Sequence, residues 1–404
     1  MFYKQCLVIV ALLIVASITG LAGIGFHFLL DYAQWLVYHS HDLVGLSQVS
    51  QPYLSLSLII TGFAMAVIWY QLQKKGALIS IKAQLFPKEE KEASPPILRH
   101  ILHILTQVVS VSLGSPIGKE AAPRELGALS ASHLASHFKL SAEDRSLLVA
   151  SGAAAGLAAI YQVPLASTFF AFETLGIALR TKNVIFLLLS TGLASQIARP
   201  VISNQAIYSL QTLSTDWQNL LLAVLLVILI TPIAYVFKEW TKKAEQKKIK
   251  TKGLLLGLPL TFTLLALVAN AFPEILGNGE AMATRIIAGQ PWDKVFFLTV
   301  IKSVMVVLVL RSGAYGGTLT PSFALGLALA YLLISPFLPA MTESAMVLGA
   351  LIFLSTSIQA PISAMFLVIG FAGQGLSAYP LLGFTVALAK SYHDFFIKRY
   401  LFKD

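Results

Sequence analysis

The sequence predicts an all-α integral membrane protein with many tilted and broken helices, on the basis of three observations. Hydrophobic residues make up 56% of the 404 positions and charged residues only 12%, whereas soluble domains carry about 25% charged residues. Several apolar runs are long enough to cross the hydrocarbon core as helices. Other apolar runs are shortened by glycine or proline, which membranes tolerate only where protein or a wet cavity satisfies the freed backbone.

The long apolar runs are the candidate spans. They cover residues 7–30, 53–70, 220–237, 254–271, 295–310 and 346–363. The first run is longer than a signal-peptide core and lacks a small-residue cleavage site, so we expect it to remain as a spanning helix. Because only a short tail follows the last apolar stretch, we expect residues 1–404 to form one transmembrane domain without a soluble C-terminal regulatory domain.

Lysines gather in two loops, and this asymmetry predicts orientation. The net charge is +10, and the loop lysines are Lys74, Lys75, Lys82, Lys88 and Lys91, then Lys238, Lys242, Lys243, Lys247, Lys248, Lys250 and Lys252. Cytoplasmic loops carry the Lys/Arg excess, so we expect a multi-pass protein of the cell membrane with both termini in the cytoplasm. Residues 202–216 contain no Lys or Arg and are expected outside. A basic loop between two spans does not favour a nucleic-acid partner.

An internal repeat relates the two halves of the chain, about 1–200 and 201–404. Residues 162–169 (QVPLASTF) match residues 359–366 (QAPISAMF), and Gly118 with Gly127 matches Gly317 with Gly326 at nearly the same offset. Transporters are often built from such inverted repeats, with the substrate site where interrupted helices meet near mid-membrane. Recurrence of small residues that pack membrane helices is the alternative explanation.

The segment 114–127 carries the residues with the clearest chemistry. It is not a nucleotide loop, because its glycines have the wrong spacing and Glu120 follows Lys119 where Ser or Thr is needed. Glycine and proline instead predict a helix break, with a new helix beginning near Gly118. A helix N-terminus attracts anions, and the Glu120 carboxylate can take the place of a mobile anion until protonation or displacement releases it. An intramembrane carboxylate is a functional candidate by default, although pairing with Lys119 or Arg124 is the simpler alternative.

The matching turn in the second half begins at Gly317. Backbone N–H groups of Thr318, Leu319 and Thr320 are expected to point at the same central anion as the Glu120 segment. A plain loop-to-helix junction with an N-cap threonine is the alternative.

In order and spacing, these motifs resemble the CLC family of chloride channels and proton-coupled anion antiporters. The resemblance rests on Gly118-Lys119-Glu120 with Gly127, on residues 151–159 and 164–166, and on the Gly-x-Leu-x-Pro of residues 317–321. It implies a CLC-type fold of two inverted repeats with about sixteen to eighteen helical segments. It also implies a homodimer with one anion pathway per subunit, and it places the gating glutamate on Glu120.

Further site residues follow from the resemblance. The predicted anion-binding residues are Gly118, Lys119, Ile79, Gly317, Thr318, Leu319, Thr320 and Tyr392. Tyr400 is the alternative to Tyr392 as the pore tyrosine. Gly76 stands where the family has its anion-coordinating serine, Ala121 and Ala122 replace the usual Gly-Pro, and Thr174 replaces the inner proton glutamate, with a carboxylate next door at Glu173.

These departures resemble the CLC subfamily that exchanges fluoride for protons, which lacks the same serine and inner glutamate and often has a threonine such as Thr320. The expected partners are therefore a halide and protons, with fluoride favoured; a chloride channel or a chloride/proton antiporter is the alternative. We expect no cofactor and no enzymatic activity, because no hydrolytic set of residues is present. His133 and His137 have the spacing of zinc ligands but no third ligand, so no metal site is expected.

Overall fold

The computed structural model describes residues 2–41, 43, 46, 49–74 and 76–395, and this part of the chain forms seventeen α-helices. They are α1 (Phe2–Tyr38), α2 (Gln51–Lys74), α3 (Ile81–Leu85), α4 (Glu90–Ala93), α5 (Ile97–Ser112), α6 (Ala121–His137), α7 (Ala142–Tyr161), α8 (Pro164–Glu173), α9 (Thr181–Ala198), α10 (Trp217–Gln246), α11 (Leu254–Ala269), α12 (Glu280–Ile287), α13 (Trp292–Arg311), α14 (Leu319–Ile334), α15 (Thr342–Ile358), α16 (Pro361–Phe371) and α17 (Tyr379–Tyr392).

Five helical segments among the described residues are long and apolar enough to cross a membrane: Gln5–Tyr38, Gln51–Lys74, Trp217–Gln246, Thr251–Ala269 and Pro339–Ile358. The predicted spans 7–30, 53–70 and 220–237 lie inside these segments. The span predicted over 254–271 runs two residues past Ala269, and the span predicted over 295–310 lies in α13, outside the five. The span predicted over 346–363 is wrong in its end, because α15 stops at Ile358 and a separate helix follows. The length of the apolar run does not reveal this helix break, since the residues on both sides of it are equally apolar.

Two helix breaks share one local structure, at Gln162 and Gln359. Both residues are left-handed, with φ of 56° and 55°, and in each case a proline starts the next helix. The side-chain amide of Gln162 donates to the Ala159 carbonyl at 3.0 Å, and that of Gln359 donates to the Thr356 carbonyl at 2.8 Å. Each glutamine therefore caps a carbonyl that the helix end leaves open, which explains the repeated Gln-x-Pro.

Pairs of glycines bring neighbouring helices into backbone contact in both copies of the repeat. A Cβ added to Gly127 on α6 would lie 1.9 Å from the carbonyl oxygen of Gly152 on α7. A Cβ added to Gly326 on α14 would lie 2.4 Å from the carbonyl oxygen of Gly349 on α15. Small residues allow such close packing of membrane helices, and no other residue fits at these positions.

The chain forms two compact units. Unit 1 comprises residues 1–33, 67–110 and 119–204, and unit 2 comprises residues 34–66, 111–118 and 205–404. The core of unit 1 is built largely of alanine, valine and leucine on α6 and α7. The largest fully buried side chains of unit 2 include Phe262, Phe323 and Phe353. The predicted halves, about 1–200 and 201–404, concern a sequence repeat and stay a prediction.

Candidate functional site

Within unit 2, the glycine turns of the two repeat copies are hydrogen-bonded to each other. The amide of Gly118 donates to the Gly317 carbonyl at 2.7 Å, and the amide of Gly317 donates to the Gly118 carbonyl at 3.0 Å. Close approach requires glycine next to them as well, because a Cβ on Gly316 would stand 2.5 Å from the side chain of Ile117. The two predicted anion-binding glycines thus commit their own amides to each other.

The Gly317 turn leads directly into α14. Thr318 is the N-cap residue, but its side chain makes no capping hydrogen bond. Leu319 and Thr320 form the first turn of the helix and are both 3% exposed. The alternative explanation, a plain N-cap threonine, therefore holds for the position of Thr318 but not for its side chain, which does not cap the helix. A helix N-terminus carries partial positive charge, so this turn is suited to an anion.

Glu120 lies in unit 1 as the N-cap residue of α6, one residue before the helix begins. Its side chain is only 1% exposed, so it is not the solvated terminal charge that a surface helix start would have. The hydroxyl of Tyr161, the last residue of α7, donates to Glu120 Oε2 at 3.2 Å. Arg124, one turn further along α6, interacts electrostatically with Glu120. A buried carboxylate thus stands at a helix N-terminus within the apolar part of the chain.

The two cations beside Glu120 are both held over aromatic rings. The Lys119 ammonium lies 5.8 Å from the ring centroid of Tyr161, and the Arg124 guanidinium lies 4.4 Å from that of Phe170. Tyr161 therefore contacts Glu120 through its hydroxyl and Lys119 through its ring. Sequence reasoning missed this tyrosine; the available signal was a lone hydroxyl-bearing aromatic that ends a run of small residues just before Gln-x-Pro.

The turn that contains Ile79 is fastened to α5 within unit 1. Gly76 has a left-handed φ of 122°, and Arg99 donates to the Ala77 carbonyl at 3.1 Å. The Ile79 amide donates to Nε2 of His100 at 3.1 Å. The predicted anion donor at Ile79 therefore already has a protein partner, and its role toward an anion stays a prediction that requires this bond to exchange.

Tyr392 ends α17 in unit 2 and is half-buried. Near it is a cavity of about 20 Å³, room for roughly one water molecule. The cavity is lined by Ser355, Thr356, Gln359, Pro361, Ala389, Lys390 and His393. Tyr400 lies outside the described residues, so the choice between the two tyrosines stays open.

A buried lysine in unit 2 was not singled out from the sequence. Lys302 sits in the middle of α13 and is fully buried. Its Nζ donates to the carbonyls of Ile275 at 2.7 Å and Gly277 at 2.5 Å. The sequence analysis treated residues 295–310 as one apolar span and overlooked Lys302, although a lone lysine inside a span is itself a functional signal.

The remaining predicted positions have ordinary helix contacts. Thr174, where the inner glutamate was expected, donates its hydroxyl to the Phe170 carbonyl. Glu173 is the last residue of α8 and is half-buried. The His133 ring is hydrogen-bonded to the Pro95 carbonyl at 2.8 Å, so this ring nitrogen serves as a link between segments of unit 1.

Together with the five apolar segments long enough to cross a membrane, these buried helix starts define a multi-pass membrane protein whose helices are interrupted at glycine turns. The sequence profile of the voltage-gated chloride channel family matches residues 61–394. The chain belongs to this family, the CLC proteins, which move anions across membranes. The recognition made from the glycine motifs and Glu120 is thereby confirmed.

Individual relatives show the extent of the similarity. The voltage-gated ClC-type chloride channel ClcB of Escherichia coli O81 (strain ED1a) is 27% identical over 289 residues, 67% of this chain and 67% of that protein. A putative chloride channel protein, ClcB-like, of Ralstonia nicotianae is 28% identical over 244 residues, and the match spans about half of that relative, 54%.

Solved structures share the fold. A slow cyanobacterial Cl⁻/H⁺ antiporter matches with a TM-score of 0.79 and 20% identity, over 95% of this chain and 94% of that one. A CLC-type fluoride/proton antiporter matches with a TM-score of 0.75 and 20% identity, over 96% of this chain and 95% of that one. The predicted all-α CLC membrane fold is confirmed by these similarities.

Proposed function

We propose that this chain exchanges a small halide anion for protons, with Glu120 as both gate and proton carrier. The observation that carries the proposal is the buried position of Glu120 at the N-terminus of α6. A negative group in this place competes with a mobile anion for the same positive potential. Protonation removes the negative charge of Glu120, so proton uptake and anion passage become alternatives at one carboxyl group.

The anion-binding role is assigned to the first turns of the interrupted helices. Gly118 and Gly317 fix the backbone by pairing with each other, and we propose that Lys119, Thr318, Leu319 and Thr320 bind the anion. Ile79 and Tyr392 complete the proposed set. A Thr320→Val variant keeps the side-chain shape and the backbone N–H but removes the hydroxyl group, so a loss of anion affinity would show that the hydroxyl binds the anion as well.

Fluoride is the favoured halide. Gly76 stands where the family's anion-coordinating serine is expected, and Thr174 stands where the inner glutamate is expected; both departures match the fluoride subfamily. Fluoride is a small and strong hydrogen-bond acceptor, so a site with altered donors can prefer it to the larger chloride ion. A chloride channel or chloride/proton antiporter is the second candidate, and the chloride channels among the relatives favour it.

Liposome transport decides between these candidates. Purified protein is reconstituted into liposomes loaded with equal fluoride and chloride, and the release of each ion is followed with its own electrode while internal pH is recorded. Fluoride release faster than chloride release, with proton movement in the opposite direction, is the expected result. Equal or faster chloride release would remove the fluoride assignment, and halide release without any proton movement would establish a channel.

We also propose the setting implied by the family: a homodimer in the cell membrane, with both termini in the cytoplasm. Lysines 242, 243, 247, 250 and 252 lie in or just after the last turns of α10, and the positive-inside rule places this region in the cytoplasm. Cross-linking of the reconstituted protein tests the dimer: a single band at twice the subunit mass is expected, whereas a band at subunit mass alone would contradict it.

A further inference from the structure

A buried polar cluster lies in unit 1, apart from Glu120. We name it the His103 cluster; it consists of Trp69 on α2, His103 and Gln107 on α5, and Glu125 on α6. Trp69, His103 and Gln107 are at most 2% exposed, while the Glu125 side chain retains 22% exposure. An ionisable pair in an apolar helix packing is costly and marks a functional site by default, and neither the gate nor the anion turns account for it.

Hydrogen bonding fixes where the ring proton of His103 sits. The indole N–H of Trp69 donates to Nδ1 of His103 at 3.1 Å. Because an indole nitrogen is only a donor, Nδ1 must be the unprotonated nitrogen, and the single ring proton lies on Nε2. From there it points at Glu125 Oε2, 3.1 Å away. Trp69 thus determines that Nε2 is the ring nitrogen of His103 that faces Glu125.

Three atoms of the cluster form a triangle in which the Gln107 amide can take either orientation. The Gln107 amide terminus lies 2.9 Å from His103 Nε2 and 2.9 Å from Glu125 Oε2. With the amide nitrogen in this place, it donates to an ionised Glu125 but faces the N–H of His103. With the amide turned over, its oxygen accepts from both His103 and a protonated Glu125. Asn and Gln side chains are known to adopt either orientation according to their partners.

A buried acceptor is available for the second state. Gln107 Oε1 has no hydrogen-bond partner within the part of the chain that the structure describes, and an unsatisfied buried polar atom costs about 1–3 kcal/mol. Turning the amide gives this oxygen two donors, the Nε2–H of His103 and a protonated Glu125, and places the amide nitrogen where the oxygen had been. Gain or loss of a proton at Glu125 can therefore be accompanied by rotation of one amide.

The charges around Glu125 come from few groups. Arg124 on α6 acts on it through its charge, and His103 on α5 contacts it through Nε2. His100, one turn before His103, interacts with both His103 and Glu125. Of the other helices packed on α6, α7 supplies Tyr161 at Glu120 and Arg145 at Ser136, toward the two ends of α6. Arg124 interacts with Glu120 and with Glu125. Because the two carboxylates share this cation, a change of charge at one alters the electrostatic stabilisation of the other.

We infer that Glu125 is a second proton-binding carboxyl group, with His103 and Gln107 as its positioning residues. The inference rests on the proposed proton-coupled exchange and adds to it: protons bind Glu125 as well as Glu120, and the loading of one alters the other through Arg124. In the loading step an O–H bond forms on Glu125 Oε2, and this hydroxyl donates to Gln107. On release the O–H bond breaks, the proton passes to a water molecule, and the amide turns back.

The test compares the number of protons moved per anion. In proteoliposomes, Glu125→Gln is expected to keep anion release but to lower the proton-to-anion ratio at least about tenfold, the scale on which a positioned acid or base acts. Glu143→Gln is the matched control, because this carboxylate is exposed and pairs with Arg180 on the surface of the same unit. A wild-type ratio in Glu125→Gln would overturn the inference. Wild-type protein that moves no protons at all would instead contradict the proposed function.

A second measurement detects protonation of Glu125 directly and does not depend on transport. Difference infrared spectra of the purified protein between high and low pH report the carbonyl band of each carboxylic acid that gains a proton. The band of Glu125 is expected to be missing in Glu125→Gln and to remain unchanged in Glu143→Gln. In Gln107→Leu, which keeps both ionisable groups but removes the turning amide, the band is expected at a shifted pH. A band pattern identical to that of the wild type in both cluster variants would refute the inference.

Discussion

At the scale of single residues, the proposed mechanism depends on whether Glu120 carries a proton. Its neighbours are known: Tyr161 donates a hydrogen bond to it, and Arg124 supplies a positive charge. The carboxylate was identifiable from the glycine motif alone. The sequence also shows polar residues inside apolar runs, but not which distant segments they contact; these are Tyr161, Lys302, His103 and Gln107.

Replacement of Glu120 by glutamine is the first test at this scale. Glu120→Gln keeps the size of the side chain but removes its proton chemistry, so proton movement is expected to stop and anion release to become independent of pH. The measurement is halide release from liposomes across a pH series. A pH dependence equal to that of the wild type would contradict the role of Glu120 as gate.

The Tyr161 hydroxyl is expected to hold the gate in place. In Tyr161→Phe the bond to Glu120 is lost, about 1 kcal/mol, so anion release is expected to rise roughly threefold to tenfold. Tyr331→Phe is the control, because it also removes a hydroxyl, one that donates to the Gln290 carbonyl at 2.7 Å, far along the chain from the gate. An unchanged rate in Tyr161→Phe, or an equal rise in the control, would count against this assignment.

Lys302 is expected to contribute stability through its two carbonyl partners. Lys302→Met keeps the length of the side chain but leaves the carbonyls of Ile275 and Gly277 without their donor. The loss is expected to be about 1–3 kcal/mol per unsatisfied group, visible as a lower unfolding temperature in detergent. Lys82→Met on α3 is the control, because Lys82 is exposed. An unchanged unfolding temperature in Lys302→Met would show that the bonds do not matter for stability.

At the scale of helices, the sequence predicted the helix break at which glycine and proline lie together. It missed a helix break that lies inside a continuous apolar run. The break before Glu120 was expected from residues 114–118. The break at Gln359 was not, although Gln162 belongs to the same repeat pattern. The physical signal is the glutamine itself, whose amide caps the helix that ends there.

Helix contact through glycine gives a prediction for α6 and α14. Gly127→Ala and Gly326→Ala place a Cβ 1.9 Å and 2.4 Å from a backbone oxygen of the neighbouring helix, so both variants are expected to lose folded protein on purification. Gly192→Ala on α9 is the control, because its Cβ would meet nothing within 4 Å and alanine favours helix by roughly 1 kcal/mol. Elution of Gly127→Ala as a wild-type-like peak in size-exclusion chromatography would contradict the contact.

At the scale of the whole molecule, the family and the all-α membrane fold were predictable from composition and ordered motifs, because lipid imposes helices on an apolar chain. The bounds of the two compact units could not be predicted from the sequence. Unit 2 includes residues 34–66 and 111–118, which lie early in the chain, and no local pattern marks them as belonging with residues 205–404.

Orientation in the membrane gives the last prediction. In a Cys6→Ser background, a cysteine introduced at Ser209 is expected to react with a membrane-impermeant thiol reagent added to whole cells, because residues 202–216 carry no positive charge. A cysteine at Lys250 is expected to react only after the cells are opened. The reverse labelling pattern would show that the orientation is inverted.

The reciprocal bonds between Gly118 and Gly317 limit how this protein can open. Gly118 is buried and Gly317 is half-buried. Parting the two loops would break two backbone hydrogen bonds, and a polar group left unsatisfied away from water costs several kcal/mol. Rotation of a side chain such as Glu120 carries no such cost. Gating is therefore expected to leave the main chain at this crossing almost still, and any substitution that shifts one loop must be accommodated by the other.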